Sequence, residues 1–332
     1  GRGDHVTDNR TVLFIGEFDD VYHAHATQRR RALERLGSSV TVFDLAARPS
    51  IFERFRAGDL GRRLERCLDD TQPELVLVNG NEVMDEAMVD RLRGRARARW
   101  INWLPQDMRD IAKASGLARP FDHIYAVGTD VAGEMAERLG RTVDVLAFAA
   151  DPSVYRPIKT RDQYRANVVF AGNATPRRER LLTDLVEFGL ALWGPGWRRT
   201  ALKDYCRGEA PSTEEYLKAY AGATVAVNIH HSLVENDPRE ASCNQRLFEL
   251  AALGAAQVVD DRGDLPRYFE AQREVVVFHD AAELKARVRE LLEAPSEADR
   301  LGQAARSRLL QDHTYMHRMR QLLRDQPRAI AR

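Results

Sequence analysis

TVLFI at residues 11–15 is followed by GEFDD at 16–20, by a helically spaced run from Thr27 to Leu36, and by VTVF at 40–43. A short apolar run, a turn-like break, an amphipathic segment and a second apolar run make one βαβ unit. Strands this uniformly apolar belong in a parallel sheet covered on both faces. The same alternation predicts strands at Leu75 to Val78, Arg99 to Leu104, His123 to Val127 and Asp144 to Phe148, with helices between them. The pattern then stops. AADPSVYRP at 149–157 holds two prolines and no periodicity, and polar residues follow as far as Asn167, which together predict an interdomain linker. A second α/β series starts at Val168 to Phe170, runs through Leu190 to Trp193, Val225 to Ile229 and Gln257 to Asp260, and closes at Val275 to Phe278. Helices are predicted over Ala281 to Leu292, Ser296 to Asp312 and His313 to Leu323, with Pro327 ending the last.

The expected fold class is α/β, with two Rossmann-like, doubly wound parallel-sheet domains over residues 1–157 and 158–312 and a terminal segment over 313–332. A chain of 332 residues suits two domains of roughly 100–200 residues each. Its 50 Lys+Arg balance 50 Asp+Glu, which argues against a dedicated nucleic-acid binder. No run approaches the ~18 consecutive apolar residues of a membrane span, and residues 1–10 are polar, so the expectation is a cytoplasmic protein without a span. Cys67, Cys206 and Cys243 lack Cys-x-x-Cys spacing and predict neither a disulfide framework nor a zinc site.

In an open parallel sheet, ligands bind beyond the carboxyl ends of the strands, so the residues just after each strand carry the chemistry. After Val168 to Phe170 comes AGNATPRRER: Gly172 allows a close turn, Asn173 or Thr175 can cap the next helix, Pro176 suits its first turn, and Arg177 and Arg178 add charge where an anion would sit. Trp193 and Gly194 open WGPGWR, which does not complete the dinucleotide fingerprint, and no Walker motif occurs; a nicotinamide enzyme or P-loop ATPase is disfavoured. Trp193 and Trp197 read either as core or as a wall beside a base or sugar. His230 follows another strand. Asn244, Gln245 and Arg246 then start a helix with Glu249 one to two turns in, a geometry that seats a diphosphate at the helix start and lets a carboxylate accept ribose hydroxyls.

In the first domain, the loop after Ile15 gathers Asp19, Asp20, His23 and His25, and Asp107 follows the strand ending at Leu104. A histidine held by an aspartate can deprotonate a hydroxyl at neutral pH. Capping by Asp20 and a surface role for His23 are the competing assignments. His-x-His also suggests a metal, but no third ligand at suitable spacing accompanies it, so no metal is expected.

Taken in order, DPSVYRP (151–157), VVFAGN (168–173), LWGPGW (192–197), VNIH (227–230), Asn244-x-Arg246-x-Phe248-Glu249 with Gly254, FHDAAEL (278–284) and HTYMHR (313–318) resemble the CgeB-type glycosyltransferases, a group similar to GT-B enzymes. The resemblance spans roughly the last 180 residues. It implies two Rossmann-like domains facing a cleft, the second holding a nucleotide-diphosphate sugar and the first an acceptor, with the last helix crossing back to the first domain. By motif position, Glu249 binds the donor ribose, Asn244 and Arg246 the diphosphate or sugar, and Asn173 and Arg177 the phosphates; Pro211 lies near the base, and His230 is a further donor contact. Many retaining GT-B enzymes carry two glutamates eight positions apart here. Counting back eight from Glu249 reaches Ala241, with Glu240 adjacent, so retaining stereochemistry does not follow. Inverting relatives often draw a base from the loop after the first strand, which singles out His23 or His25, oriented by Asp19, Asp20 or Asp107. The implied activity is sugar transfer to a small-molecule, polysaccharide or protein acceptor, with the nucleotide sugar as substrate and no cofactor. The rivals are an epimerase or hydrolase on the same fold and a non-catalytic sugar- or nucleotide-binding protein.

Overall fold

The computed structural model describes residues 8–19, 23–47, 60–104, 111–209, 212–232 and 239–328. The chain divides into two compact units, Gly1–Ala147 with Tyr315–Arg332, and Phe148–Thr314.

The first unit holds a parallel sheet of β1 (Thr11–Gly16), β2 (Ser39–Asp44), β3 (Leu75–Val78), β4 (Arg99–Leu104), β5 (His123–Ala126) and β6 (Asp144–Val145), in the order β2-β1-β3-β4-β5-β6. Between the strands run α1 (Ala24–Arg35), α2 (Leu60–Thr71), α3 (Glu86–Arg93), α4 (Ile111–Ala118) and α5 (Thr129–Leu139). Leu13, Ile15, Val76, Val78, Trp100 and Leu104 pack on one face against Leu64, Leu68, Val89 and Phe121. Val12, Phe14, Leu75, Leu77, Ile101 and Trp103, which alternate with them, are buried too, the burial on both faces that the apolar runs predict. The strand expected at Asp144 to Phe148 stops after two residues: Leu146 N–H still bonds Ala126 O at 2.8 Å, but Ala147 ends the unit.

The second unit holds β7 (Ala166–Ala171), β8 (Leu190–Trp193), β9 (Cys206–Gly208), β10 (Ala223–Asn228), β11 (Gln257–Asp260) and β12 (Val276–Phe278), again all parallel, in the order β12-β11-β10-β7-β8-β9. Its helices are α6 (Pro176–Thr183), α7 (Thr213–Ala221), α8 (Gln245–Leu253), α9 (Ala281–Glu293) and α10 (Pro295–Asp312). The edge strand β9 was not predicted, because Cys-Arg-Gly has no apolar run to betray it. Val168, Phe170, Leu192, Val225, Val227 and Val258 form the core under α6 and α9, while Val169, Trp193, Tyr220, Ala226 and Leu250 pack on the opposite face. The proline-containing stretch after Ala150 is structured: Asp151 accepts from Ser153 N–H at 2.9 Å and Tyr155 is buried.

The last helix, α11 (Tyr315–Asp325), belongs to the first unit although it follows the second in sequence. Its C-terminal carbonyls need partners. Arg10 supplies them, donating to Leu323 O at 2.5 Å and Gln326 O at 3.1 Å while Asp8 holds its guanidinium. The helix starts two residues later than the spacing predicts, because His313 is buried and faces Tyr268 O at 2.9 Å through Nε2. Among the described residues, no helix is long and apolar enough to cross a membrane.

Candidate functional site

The strand order of each parallel sheet reverses once: between β1 and β3 in the first unit, and between β7 and β10 in the second. At such a reversal the connections leave to opposite faces and open a crevice beyond the strand ends. The sequence-predicted residues that the structure describes gather at these two edges.

In the first unit, β1 ends at Gly16, where a Cβ would meet Asn79 Cβ at 2.9 Å. The chain then passes Glu17 and Asp19, and His23 sits at the start of α1. His23 Nδ1 is hydrogen-bonded to the Asp19 carboxylate, and Glu17 Oε2 lies 3.4 Å from the same nitrogen. A carboxylate on Nδ1 keeps the proton there and leaves the lone pair on Nε2, which is the state of a general base. His25 is built differently. Its Nε2 lies 3.1 Å from Asn79 Nδ2, and Asn79 Oδ1 accepts from Arg29, which fixes the amide with its NH2 toward the imidazole. His25 Nε2 is therefore already an acceptor. Desolvation, with Arg29 and His23 nearby, holds this imidazole well below the usual histidine range and keeps it neutral. Arg29 is stacked 3.4 Å from the Trp103 ring centroid, and its burial lowers its pKa to about 10. Asp20 and Asp107 lie outside the described residues. Glu17, Asp19 and His23 bring one potential ligand atom each within 4.8 Å of one another; this group, rather than His-x-His, is where a cation would find oxygen and nitrogen donors.

In the second unit, three glycines let the edge close. Gly194 has φ +127°, and a Cβ on it would lie 2.3 Å from Gly172 O. Gly194 N–H donates to Gly208 O at 2.9 Å, and Gly172 N–H to Trp193 O at 2.8 Å. Trp193 is 6% exposed and stacked on Tyr164 at 5.2 Å; its Nε1–H finds no partner among the described residues. Trp197 is core and donates to Gly172 O at 2.8 Å. Thr175, not Asn173, caps α6, accepting from Arg178 N–H at 3.2 Å.

The two arginines of α6 turn inward. Arg177 donates to His230 O at 3.2 Å and to Asp260 Oδ2 at 3.0 Å. Arg178 donates to Asn173 O at 2.9 Å and Ile229 O at 2.8 Å, lies over the Phe170 ring, and is brought to a pKa of about 10 by burial. Both therefore tie the loops after β7 and β10 together across the reversal.

Asn244 caps α8 through its side chain, accepting from Leu247 N–H at 3.0 Å, and it exchanges amide hydrogen bonds with Asn228 at 2.8 and 3.1 Å. Glu249, one turn further on, is 6% exposed. Its carboxylate accepts from Gln245 Nε2 at 2.8 Å and Arg246 Nη1 at 3.0 Å, and burial with the Glu249 charge nearby pushes the Tyr155 hydroxyl, in the proline-containing stretch, well above the usual phenol range. Arg246 lies over Tyr216 at 4.8 Å and Tyr220 at 5.2 Å, a cation on two π faces. Pro211 lies outside the described residues. Glu240 is engaged by Ser232 and by Arg262 Nη1 at 2.8 Å. His230 has a fully buried side chain, with Asp260 on Nδ1 and Asn244 N–H on Nε2.

Tyr155, Asn228, Asp260 and Gln257 were not anticipated as site residues. The signal for two of them is visible in hindsight: Asn228 and Asp260 are polar residues that directly follow the apolar centres of their strands, where ligand edges lie.

The architecture is that of solved glycosyltransferases. A sucrose-phosphate synthase from Thermosynechococcus elongatus superposes with a TM-score of 0.67 at 14% identity, covering 95% of this chain and 98% of that one. Anabaena Alr3699/HepE, solved in complex with UDP-glucose, gives 0.67 at 13% identity over 95% and 99%. A glycosyltransferase from Rickettsia africae ESF-5 gives 0.67 at 9% identity over 96% and 97%. These likenesses establish the fold as the α/β architecture of GT-B glycosyltransferases, with two six-stranded parallel sheets and interleaved helices. Residues 177–324 match the family model described as glycosyl transferase-like. No curated protein matches the chain significantly.

Proposed function

We propose that the protein is a CgeB-type glycosyltransferase that moves a sugar from a nucleotide diphosphate, with UDP the first candidate nucleotide, to a hydroxyl or similar nucleophile. The observation that carries this reading is Glu249: a carboxylate held by Gln245 and Arg246 in the second turn of a helix that starts at the carboxyl edge of the sheet. Its remaining acceptor capacity suits the paired hydroxyls of a ribose, and the helix start suits the diphosphate. Support also comes from the glycosyl transferase-like match over residues 177–324 and from the UDP-glucose complex of Alr3699/HepE.

In this reading the second unit binds the donor. Asn244 and Arg246 meet the diphosphate or sugar, Gly172, Asn173 and Gly194 line its backbone approach, Trp193 borders the base, and Arg177 and Arg178 act by shaping the edge. Negative charge grows on the diphosphate as the glycosidic bond breaks. The N-terminus of α8 and Arg246 stabilise it, so the transfer needs no divalent ion. The first unit activates the acceptor: His23 Nε2 takes the proton while Asp19 holds Nδ1, which favours inversion at the anomeric carbon. His25 serves the loop's shape through Asn79.

The test is a thermal-shift screen with UDP, dTDP, GDP and ADP, followed by product analysis with the matching sugar nucleotide, with and without acceptors. Stabilisation by one nucleotide and acceptor-dependent transfer are expected. Rapid acceptor-free turnover would favour an epimerase or hydrolase, and no shift with any nucleotide would refute the proposal.

A further inference from the structure

We infer that Asp260 and His230 form a tautomer lock that sets the first turn of α8, which makes both of them positioning residues for the donor site; the inference rests on the donor site proposed above. Asp260 ends β11 with its side chain 5% exposed, and His230 follows β10 with a side chain that is fully buried. Asp260 Oδ1 accepts from His230 N–H at 2.9 Å and lies 2.7 Å from His230 Nδ1. Asp260 Oδ2 accepts from Arg177 at 3.0 Å, and Arg262 stands 4.0 Å away. Burial by itself would raise the Asp260 carboxyl, but His230, Arg177 and Arg262 outweigh it and hold the group well below the usual carboxylate range. An ionised carboxylate only accepts, so His230 Nδ1 must carry the proton.

The consequence falls on the other ring nitrogen. His230 Nε2 is left with its lone pair, and it accepts the backbone N–H of Asn244 at 3.0 Å. Asn244 is the residue that caps α8. Its side chain is held by Asn228, which is held in turn by Gln257 Oε1 at 2.9 Å, so the cap is fixed from two strands at once. Arg246 and Glu249 lie two and five residues downstream on this rigid start. Burial pushes His230 below the usual histidine range despite Asp260, so the imidazole stays neutral. One carboxylate thus orders both the helix that carries Glu249 and, through Arg177, the helix after β7. The imidazole passes an acceptor across the ring from a carboxylate on the far side.

Asp260→Asn tests this. A single neutral amide oxygen would replace two charged ones that serve three donors, so one donor loses its acceptor and the carboxylate that pins the proton on His230 Nδ1 is gone. The share of imidazole with its proton on Nε2, where it meets the Asn244 N–H donor to donor, then rises. His230→Gln is the conservative partner, since its Oε1 can take the place of Nε2, and His230→Leu offers no acceptor. Three measurements apply: 15N spectra of the histidine ring, amide hydrogen exchange at Asn244 and the first turn of α8, and calorimetric titration with UDP. Expected results are an Nδ1–H tautomer in the wild type, exchange accelerated on the order of 10-fold in D260N and H230L but not in H230Q, and UDP affinity weakened on the order of 10-fold in the first two with H230Q near wild type. An Nε2–H tautomer in the wild type, unchanged exchange in D260N, or equal losses in H230Q and H230L would overturn the lock. If the wild type binds no UDP, the donor reading fails, whereas the spectra and exchange still decide the lock.

Discussion

Removing the Glu249 carboxylate separates stability from donor binding. In the native state the group accepts from Gln245 at 2.8 Å and Arg246 at 3.0 Å. Glu249→Ala leaves Arg246 without its counter-charge. Breaking a buried pair costs about 3–5 kcal/mol, but the Arg246 side chain keeps 21% exposure and lies over Tyr216 and Tyr220. The loss should therefore fall at the lower end, about 3 kcal/mol, which a domain with about 5–15 kcal/mol of stability survives. On the donor side, two ribose hydroxyls lose a charged acceptor. At about 1.5–3 kcal/mol for each such hydrogen bond, the affinity for the nucleoside diphosphate should fall by about 100-fold or more. Glu249→Gln keeps the shape and one acceptor oxygen and should lose about 10-fold. Calorimetric titration of the wild type and both variants, with urea curves to show each is folded, gives the two quantities separately. A folded Glu249→Ala protein that binds the nucleotide within threefold of wild type would refute the role given to this carboxylate.

Replacing His23 by Ala should lower kcat by about 10²–10⁴-fold with little change in donor KM, and Asp19→Asn should follow it; steady-state kinetics check both, and an unchanged kcat removes His23 as the base. Saturating EDTA should leave the transfer rate unaltered. A rate abolished by chelation and restored by manganese would instead give Glu17, Asp19 and His23 a metal to hold. His230 is neutral in the fold but titrates near its ordinary value when unfolded, so the unfolded chain binds more protons as the pH drops. Its contribution is complete above the unfolded pKa of about 6.5 and is lost as the pH falls below it. Urea midpoints measured from pH 7.5 to 5.5 should accordingly fall less steeply for His230→Gln than for wild type, and parallel slopes would contradict this. Gly194→Ala forces a side chain into φ +127° and against Gly172 O, and should cost about 3 kcal/mol or more in urea unfolding; a near-neutral effect would mean the edge of β8 is plastic.

Apolar periodicity by itself determined most of this architecture. Leu75–Val78, Arg99–Leu104, Leu190–Trp193 and Gln257–Asp260 are strands with the bounds that their sequence predicts, since a strand buried on both faces is built round a continuous apolar run. The start of a helix at Asn244, with Glu249 one to two turns in, was legible too, because helical spacing is local. Strand β9 was invisible, since an edge strand of three residues needs no apolar run.

Which polar groups face one another was decided by the tertiary structure alone. His23 and His25 are alike in sequence, yet one has an aspartate on Nδ1 and the other an asparagine amide on Nε2, and Asn79 lies 54 positions from His25. Arg177 and Arg178 are adjacent in the sequence, and only the fold shows that they donate to His230 O and Ile229 O, each more than fifty residues away. Hydrogen-bond partners in a parallel sheet come from strand ends separated by a whole crossover, and no local pattern encodes which strand ends become neighbours.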